Sequence, residues 1–353
     1  MKDSQDKTSE PIEFRRALVT GAAGCIGQRL VKRLVTEGCH VHALDVSAAG
    51  LQQLAHGIPE GAVRILQGDL NDAEVLEQAT EGVEAVFHAA AKVHSIPQNS
   101  AEEAEFFRVN VAGTEYLLRA CQKRPLRAFV FFSTIAVYGS GDGHPLTETT
   151  ALRPENAYAQ SKVEAERRVL EFRGPEGMRP TVLRMSLVYG EGERGNFIRM
   201  LRGVNSGRFL LIGSGETRKS MIYVGDVVEA ALLAARSRAA WGEVFVLADP
   251  TAYTLRVVVE TLARHLGARP PRFRLPISLA RLGGEVLTRL GRGFGVRPPV
   301  TRSDVDRLVS NTVCDTSKIQ KTLGYQSQVG LEEGVRRTVR WFREEEARLK
   351  RRH

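Results

Sequence analysis

The chain has 353 residues, 42% hydrophobic and 26% charged, with a formal net charge of +9. That is enough apolar material for a large core, in one big domain or two smaller ones. No run of about 18 apolar residues occurs, and the amino terminus, MKDSQDKTSEPIEFRR, lacks the apolar centre of a secretory signal, so a cytoplasmic protein is expected.

Cys25, Cys39, Cys121 and Cys314 are scattered without metal-ligand or CxxC spacing, which predicts neither a metal site nor a disulfide framework. The positive charge permits contact with nucleic acid, anionic lipid or phosphorylated small molecules. Its arginines and lysines are not interleaved with aromatics, which argues against nucleic acid. Residues 1–13 are expected to be a disordered tail, and residues 346–353, ending in RLKRRH, a solvated basic tail.

Arg16–Thr20 reads as a buried strand, and Gln28–Glu37 repeats apolar residues at helical spacing through Leu30, Val31, Leu34 and Val35. Gly21, Gly24 and Gly27 therefore occupy a strand-to-helix junction. Gly38 stops the helix, and a second strand, His40–Leu44, ends in Asp45, 18 positions beyond Gly27. This is the layout of a dinucleotide-binding turn: Gly21 for the tight turn, Gly24 for close approach of backbone to pyrophosphate, Gly27 for helix–strand packing. Asp45 could accept both ribose hydroxyls and would repel a 2′-phosphate, so NAD is expected over NADP.

The alternation continues. Val63–Gln67 is followed by Gly68-Asp69-Leu70, Ala85–His88 by a small-residue turn, and Ala128–Phe132 by Ser133-Thr134. Apolar strands with helical patterns between them predict a Rossmann-type α/β fold, a doubly wound parallel sheet that binds ligands beyond the carboxyl ends of its strands. Asp69 stands either where an adenine would be met or as a helix N-cap ahead of Leu70. Tyr158 and Lys162, in NAYAQSKVEAE, are four apart on a predicted helix and project from one face. A nearby ammonium lowers a tyrosine's pKa and suits it to proton transfer, while a strand-end hydroxyl, Thr134, holds the substrate oxygen.

GAAGCIG, Gly68-Asp69-Leu70, the HAAA of His88–Ala91, RVNVAGT around Asn110, STIAVYG, Tyr158-Ala-Gln-Ser-Lys162 and the LRMSLVYG of Leu183–Gly190 together resemble the extended short-chain dehydrogenases/reductases of the NAD-dependent epimerase/dehydratase family, over residues 15–345. The resemblance implies catalysis by Thr134, Tyr158 and Lys162. It implies cofactor contacts at Gly21, Gly24, Cys25, Ile26, Gly27, Asp45, Asp69, Leu70, Ala89, Ala90 and Ala91, as well as at Tyr158 and Lys162. Asn110 would brace the fold near the cofactor. Sugar 4,6-dehydratases of similar sequence carry an acidic pair after the catalytic Thr; Ile135-Ala136 stand here and cannot move a proton, which disfavours dehydration.

On this pattern residues 14–190 form the NAD-binding domain, and 191–345 a smaller, mainly substrate-binding portion with segments that can return to the sheet. Ser133, Asn196, Phe197, Arg218 and Lys219 are the implied substrate contacts, the last two near the diphosphate. The family's usual Arg before I-Y-V-x-D is Lys219, and the Asn and Pro of many sugar epimerases are Leu187 and Met185. Asp226 is expected to cap a helix. A stripe of Leu279, Leu282, Val286, Leu287 and Leu290, alternating with Arg281, Arg289 and Arg292, is expected to pack on its own domain rather than on a membrane. The implied activity is that of a UDP-hexose 4-epimerase acting on a nucleotide sugar as a homodimer. The alternatives are a nucleotide-sugar 4-ketoreductase, a 3β-hydroxysteroid dehydrogenase or dihydroflavonol reductase, and a dinucleotide-binding scaffold without turnover.

Overall fold

The computed structural model describes residues 11–93, 97, 99–140, 143–271, 274–293 and 302–350. Seven strands form one parallel sheet: β1 (Arg16–Thr20), β2 (His40–Asp45), β3 (Val63–Gln67), β4 (Ala85–His88), β5 (Ala128–Thr134), β6 (Thr181–Met185) and β11 (Val244–Leu247). Their order across the sheet is β3-β2-β1-β4-β5-β6-β11, all neighbours parallel. The substrate-side half of the sequence thus returns β11 to the sheet. The order reverses between β1 and β4, the place where such sheets open a crevice.

Alternation along the strands feeds two faces. Ala17 and Val19 of β1 pack under α1 (Cys25–Thr36), α2 (Ala48–Ala55), α8 (Val224–Ala235) and α12 (Ser317–Leu323). Leu18, Val86, Phe129 and Phe131 face α3 (Ala73–Ala79), α5 (Gly113–Cys121) and α6 (Ala157–Glu171). α4 (Ser100–Phe107) runs into α5 through a π-helical turn at Arg108–Ala112.

Outside the sheet lie three two-stranded pairs. β7 (Leu187–Tyr189) pairs with β10 (Met221–Tyr223), β9 (Arg218–Lys219) with β12 (Tyr253–Thr254), and β8 (Leu211–Ile212) with β13 (Arg274–Leu275). A separate apolar cluster joins α7 (Asn196–Asn205), α9 (Leu255–Leu266) and α13 (Leu331–Lys350) around Tyr189, Phe197, Leu262 and Val335. α10 (Ile277–Gly293) and α11 (Arg302–Val309) pack on each other.

Three expectations at the periphery are corrected. Ile12 is buried and its N–H donates to the Arg236 carbonyl, 2.8 Å, so the chain is docked before residue 13; residues 1–10 lie outside the described residues. Residues 346–350 continue α13 instead of forming a tail, and 351–353 lie outside the described residues. Leu279, Leu282, Val286 and Leu287 are left exposed instead of being buried on the domain, while the side chains of Arg289, Leu290 and Arg292 lie outside the described residues. Among the described residues no helix is long and apolar enough to cross a membrane.

Candidate active site

The turn after β1 meets the turn after β4 in the crevice. Gly21 has φ +68°, a left-handed conformation that glycine adopts freely, and a Cβ there would lie 2.6 Å from the Ala90 nitrogen. Ala89 and Ala90 are tied to β1, donating to the Thr20 carbonyl at 3.2 Å and the Thr20 hydroxyl at 3.2 Å; Ala91 follows them, half-buried. Gly24 is the N-cap of α1 and supplies no side-chain cap. A Cβ on Gly24 would meet only the Gly21 oxygen, at 3.1 Å. Gly27 is enclosed: its Cβ would stand 2.1 Å from that oxygen and 2.7 Å from Ala22 Cα. An uncapped helix start over an open glycine suits a pyrophosphate.

Asp45 closes β2 and accepts from the N–H groups of Ala23, 3.0 Å, and Ser47, 2.9 Å. Its carboxylate thereby joins the glycine turn to the strand that would meet the ribose. The Cys25 thiol donates to the Glu191 carbonyl at 3.3 Å, and burial pushes its pKa up to about 12, so it stays protonated. Ile26 packs between two apolar clusters, and buried Leu70 fills the space beside Gly113. Asp69 accepts from Asn71 N–H, 3.0 Å, Asn71 Nδ2, 2.8 Å, and Arg108, 3.0 Å. Burial opposes its ionisation, but these donors hold its pKa below the ordinary range. The N-cap of α3 is Asp72, which accepts from Glu74 and Val75.

Thr134 at the end of β5 lies beside Tyr158 on α6, and Lys162 stands one turn further along the same helix. The Thr134 hydroxyl accepts the Ala136 N–H at 3.2 Å and stands near enough to the Tyr158 phenol to favour its ionisation. Lys162 is buried; its Nζ donates to the Phe132 carbonyl at 2.7 Å and lies 4.0 Å from the centre of the Phe131 ring. Burial lowers its pKa to about 7, opposed by the charge of Glu166. The electrostatics differ from expectation, because burial raises Tyr158 to about 12 and the opposing influence is Thr134, not Lys162. The physical reason is that the Lys162 amine is spent on a main-chain carbonyl, and desolvation leaves it only partly charged near neutral pH.

A buried hydrogen-bonded chain connects this cluster to the crevice. Asn110 Nδ2 donates to Ser161 Oγ at 2.9 Å, and Ser161 donates to the Tyr158 carbonyl at 2.8 Å. Asn110 also clasps the Lys92 backbone, accepting from its N–H at 2.7 Å and donating to its carbonyl at 3.2 Å, the bracing task expected of it. Thr114 gives its proton to the Asn110 carbonyl, 2.6 Å, so His88 Nε2, 2.8 Å from Thr114 Oγ1, must be a donor. Nδ1 then accepts from the Thr20 hydroxyl at 2.7 Å. Burial, with Lys162 adding to it, drives the His88 pKa down to about 3, which keeps the ring neutral.

Ser133 is corrected from a substrate contact to an interior residue. It is buried, and its hydroxyl donates to Glu166. Glu166 forms a two-pronged ion pair with Arg184, with Nη2 at 2.7 Å and Nε at 3.1 Å. Arg184 also donates to the Tyr138 hydroxyl at 2.8 Å and the Glu148 carbonyl at 3.3 Å, and Glu148 accepts the Val246 N–H of β11 at 2.7 Å. Glu166 and Arg184 were missed as site-supporting residues. The signal for Glu166 was its spacing, four beyond Lys162 on the same helix; Arg184 lies on another strand and had none.

The substrate half is mixed. Asn196 is exposed at the start of α7, accepting from Arg199 at 2.7 Å. Phe197 is corrected to core: it is fully buried against Tyr189, centroids 5.0 Å apart, because the first turn of α7 rotates it into the apolar cluster. The α7 N-terminus is capped by Glu193, missed from sequence, which accepts from Gly195 and from Ile198 at 2.8 Å. Arg218 is exposed and Lys219 half-buried on β9, where Lys219 Nζ donates to the Thr312 hydroxyl at 3.2 Å. Asp226 is structural, though not as a cap: it accepts from Ser327, 2.8 Å, Gln328 N–H, 3.2 Å, and Val329 N–H, 3.0 Å, clasping the segment before α13.

A glycine turn at the switch point of a doubly wound parallel sheet is the layout of a dinucleotide-binding fold. The chain matches the NAD dependent epimerase/dehydratase family over residues 17–248 and belongs to it. It is an NAD-dependent enzyme of the extended short-chain type. It is 29% identical to the N-acetyl-alpha-D-glucosaminyl-diphospho-ditrans,octacis-undecaprenol 4-epimerase of Escherichia coli O157:H7, covering 92% of this chain and 94% of that one. It is 31% identical to the 4-hydroxy-2-methyl-3-oxo-4-farnesyl-3,4-dihydroquinoline-1-oxide ketoreductase of Stigmatella aurantiaca, covering 91% and 94%. Among solved structures, MoeE5 in complex with UDP-glucose and NAD superposes with a TM-score of 0.73 at 29% identity, over 94% of this chain and 99% of that one.

Proposed function

We propose that this enzyme is a 4-epimerase of a diphosphate-linked hexose, with Thr134, Tyr158 and Lys162 as its catalytic residues. The observation that carries the proposal is the nearness of the Thr134 hydroxyl to the Tyr158 phenol at the carboxyl end of β5, with buried Lys162 one turn further along α6. Bound NAD supplies a hydride acceptor and donor at the sugar carbon. Thr134 orients the reacting oxygen, and Tyr158 takes or returns its proton. Lys162 stabilises the phenolate, a task it performs once its charge is retained. Gly24 and the first turn of α1 face the pyrophosphate, and the Asp45 carboxylate favours NAD over NADP by repelling a 2′-phosphate. Arg218 and Lys219 supply positive charge for the substrate diphosphate, though without the guanidinium fork that Arg would bring at 219.

The test is incubation of the purified chain with UDP-glucose and UDP-N-acetylglucosamine deuterated at C4, and with a polyprenyl diphosphate sugar, because the E. coli relative is named for one. A 4-epimerase gives the axial and equatorial products with deuterium retained and no net NADH. Net consumption of NADH with a keto sugar would instead make it a ketoreductase. A second reading, an oxidoreductase of an apolar ketone or carbinol, is favoured by Leu187 and Met185 at positions where many sugar epimerases carry Asn and Pro. Turnover of sterols or prenylated ketones with no sugar product would establish it and overturn the first.

A further inference from the structure

The α10–α11 hairpin is rooted beside the substrate half at both ends. Before α10, β13 lies parallel to β8, and Gly213 N–H donates to the Leu275 carbonyl at 2.9 Å. After α11, Asn311 Oδ1 accepts the Arg218 N–H at 2.8 Å, and Thr312 exchanges backbone bonds with Arg218 and Ser220 at 2.9 and 2.7 Å. The hairpin therefore stands next to β9, which carries Arg218 and Lys219.

An amphipathic helix in a folded protein ordinarily turns its apolar side inward. α10 turns it outward: Leu279, Leu282, Val286 and Leu287 are 54%, 58%, 45% and 39% exposed, and Leu308 of α11 is 50% exposed. Leu279, Leu282 and Val286 are spaced three and four apart and share one side of the helix. The side turned to the protein holds buried Ala280. Contiguous apolar surface left in water marks an interaction site. The charge is concentrated here as well. By sequence, residues 277–309 contain six arginines against three acids, Glu285, Asp304 and Asp306, a net +3 of the chain's +9. Arg281 and Arg302 spend part of that charge on Asp306 and Glu285, and the excess remains positive.

We propose that the α10–α11 hairpin docks on an anionic lipid bilayer, α10 lying in the headgroup region with its leucine stripe inserted. An apolar stripe on a basic segment is the pattern of interfacial helices, whose binding adds apolar burial to attraction for anionic lipid. A second copy of this chain is the poorer occupant, because two such hairpins would bring like charges together as the leucines met. The docking stands on the hairpin alone, whether the sugar diphosphate is carried by a nucleoside or by a lipid.

The experiment is co-sedimentation of the full-length protein with vesicles of phosphatidylcholine containing about one-third phosphatidylglycerol, and with pure phosphatidylcholine vesicles, at about 0.1 M and about 0.5 M salt. Wild type is expected to sediment with the anionic vesicles only and to release by about tenfold or more in high salt. The Leu282→Gln/Val286→Gln double variant, altered at exposed positions and confirmed folded by circular dichroism, is expected to bind about tenfold or more weakly, from two half-exposed side chains no longer inserted. Folded wild type that ignores anionic vesicles, or a double variant that binds them equally, overturns the proposal. So does a wild-type dimer in analytical ultracentrifugation that the double variant breaks while vesicle binding is unchanged, since the stripe would then belong to a second copy. Turnover of UDP-sugars in vesicle-free buffer is read in parallel, so a failed docking and a failed epimerase assignment give different results.

Discussion

Replacing Gly27 by alanine and, separately, Gly24 by alanine should split folding from cofactor binding within one turn. At Gly27 the added Cβ would stand 2.1 Å from the Gly21 oxygen and 2.7 Å from Ala22 Cα, both main-chain atoms that no rotamer change can move. Ordinary contact is about 3.5 Å, so the Gly21 oxygen must withdraw by about 1.4 Å. Such overpacking costs about 1–3 kcal/mol, occasionally more, and a purely backbone clash belongs at the upper end. Alanine returns about 1 kcal/mol through helix propensity, leaving a net loss of about 2 kcal/mol. With an unfolding entropy of about 0.7 kcal/mol/K for a chain of this length, the melting temperature falls by about 3 °C. At Gly24 the added Cβ meets only one atom, at 3.1 Å, and φ −76° suits alanine, so stability should change by less than about 0.5 kcal/mol. The methyl would nevertheless stand over the first turn of α1, and the Kd for NAD should rise by about tenfold or more. Thermal melts of the cofactor-free variants by circular dichroism, with NAD titrations by calorimetry, give both numbers. Gly27→Ala melting with wild type would refute the steric argument, and Gly24→Ala binding NAD normally would refute the phosphate cradle.

Tyr158→Phe should lower kcat by about 10²–10⁴-fold with NAD affinity retained, because it removes the proton-bearing oxygen and little else; steady-state rates within tenfold of wild type would exclude the role. Lys162→Met should lose both turnover and NAD affinity while its stability relative to wild type depends on pH. Burial brings the Lys162 pKa from 10.5 to about 7, so the unfolded chain binds the extra proton between those values. Wild type carries the full penalty of a buried ammonium below about pH 7 and sheds it as pH rises toward 10.5. The melting temperature of the variant relative to wild type is therefore highest below pH 7 and declines above it, and a pH-independent difference would show that the amine is not desolvated. Glu166→Gln should destabilise by about 3–5 kcal/mol, since it strands the buried Arg184 guanidinium without its carboxylate; denaturant titration showing less than about 1 kcal/mol would mean that Arg184 finds another partner.

The parallel sheet was legible because each of its first five strands is a short run with apolar residues closed by a polar or small residue: Gly21, Asp45, Gly68, the alanines after His88, and Ser133. The observed bounds differ from the expected ones by no more than two residues, as where β5 continues through Ser133 to Thr134. Periodicity also put Tyr158 and Lys162 on one face, and that part of the site depends only on helix geometry. What sequence could not supply was each side chain's partner. Ser133 and Thr134 are adjacent, and strand alternation sends one hydroxyl to Glu166 and turns the other toward Tyr158. A reading that assigned both to the ligand ignored the pleat. Lys162 shows the same limit in charge: spacing brings an amine near a phenol, but the carbonyl of Phe132 and the depth of burial decide how much charge it keeps. α10 carries the argument furthest. Its leucines repeat as in any amphipathic helix, and a repeat defines a stripe without saying what the stripe faces. That is decided by β13 and Asn311–Thr312, which fix both ends of the hairpin on β8 and β9 and leave Leu279, Leu282 and Val286 turned away from the core. A periodicity that ordinarily marks a buried helix therefore marks an exposed one here, and the concentration of arginine in the same segment, visible from the outset, becomes informative only once that orientation is known.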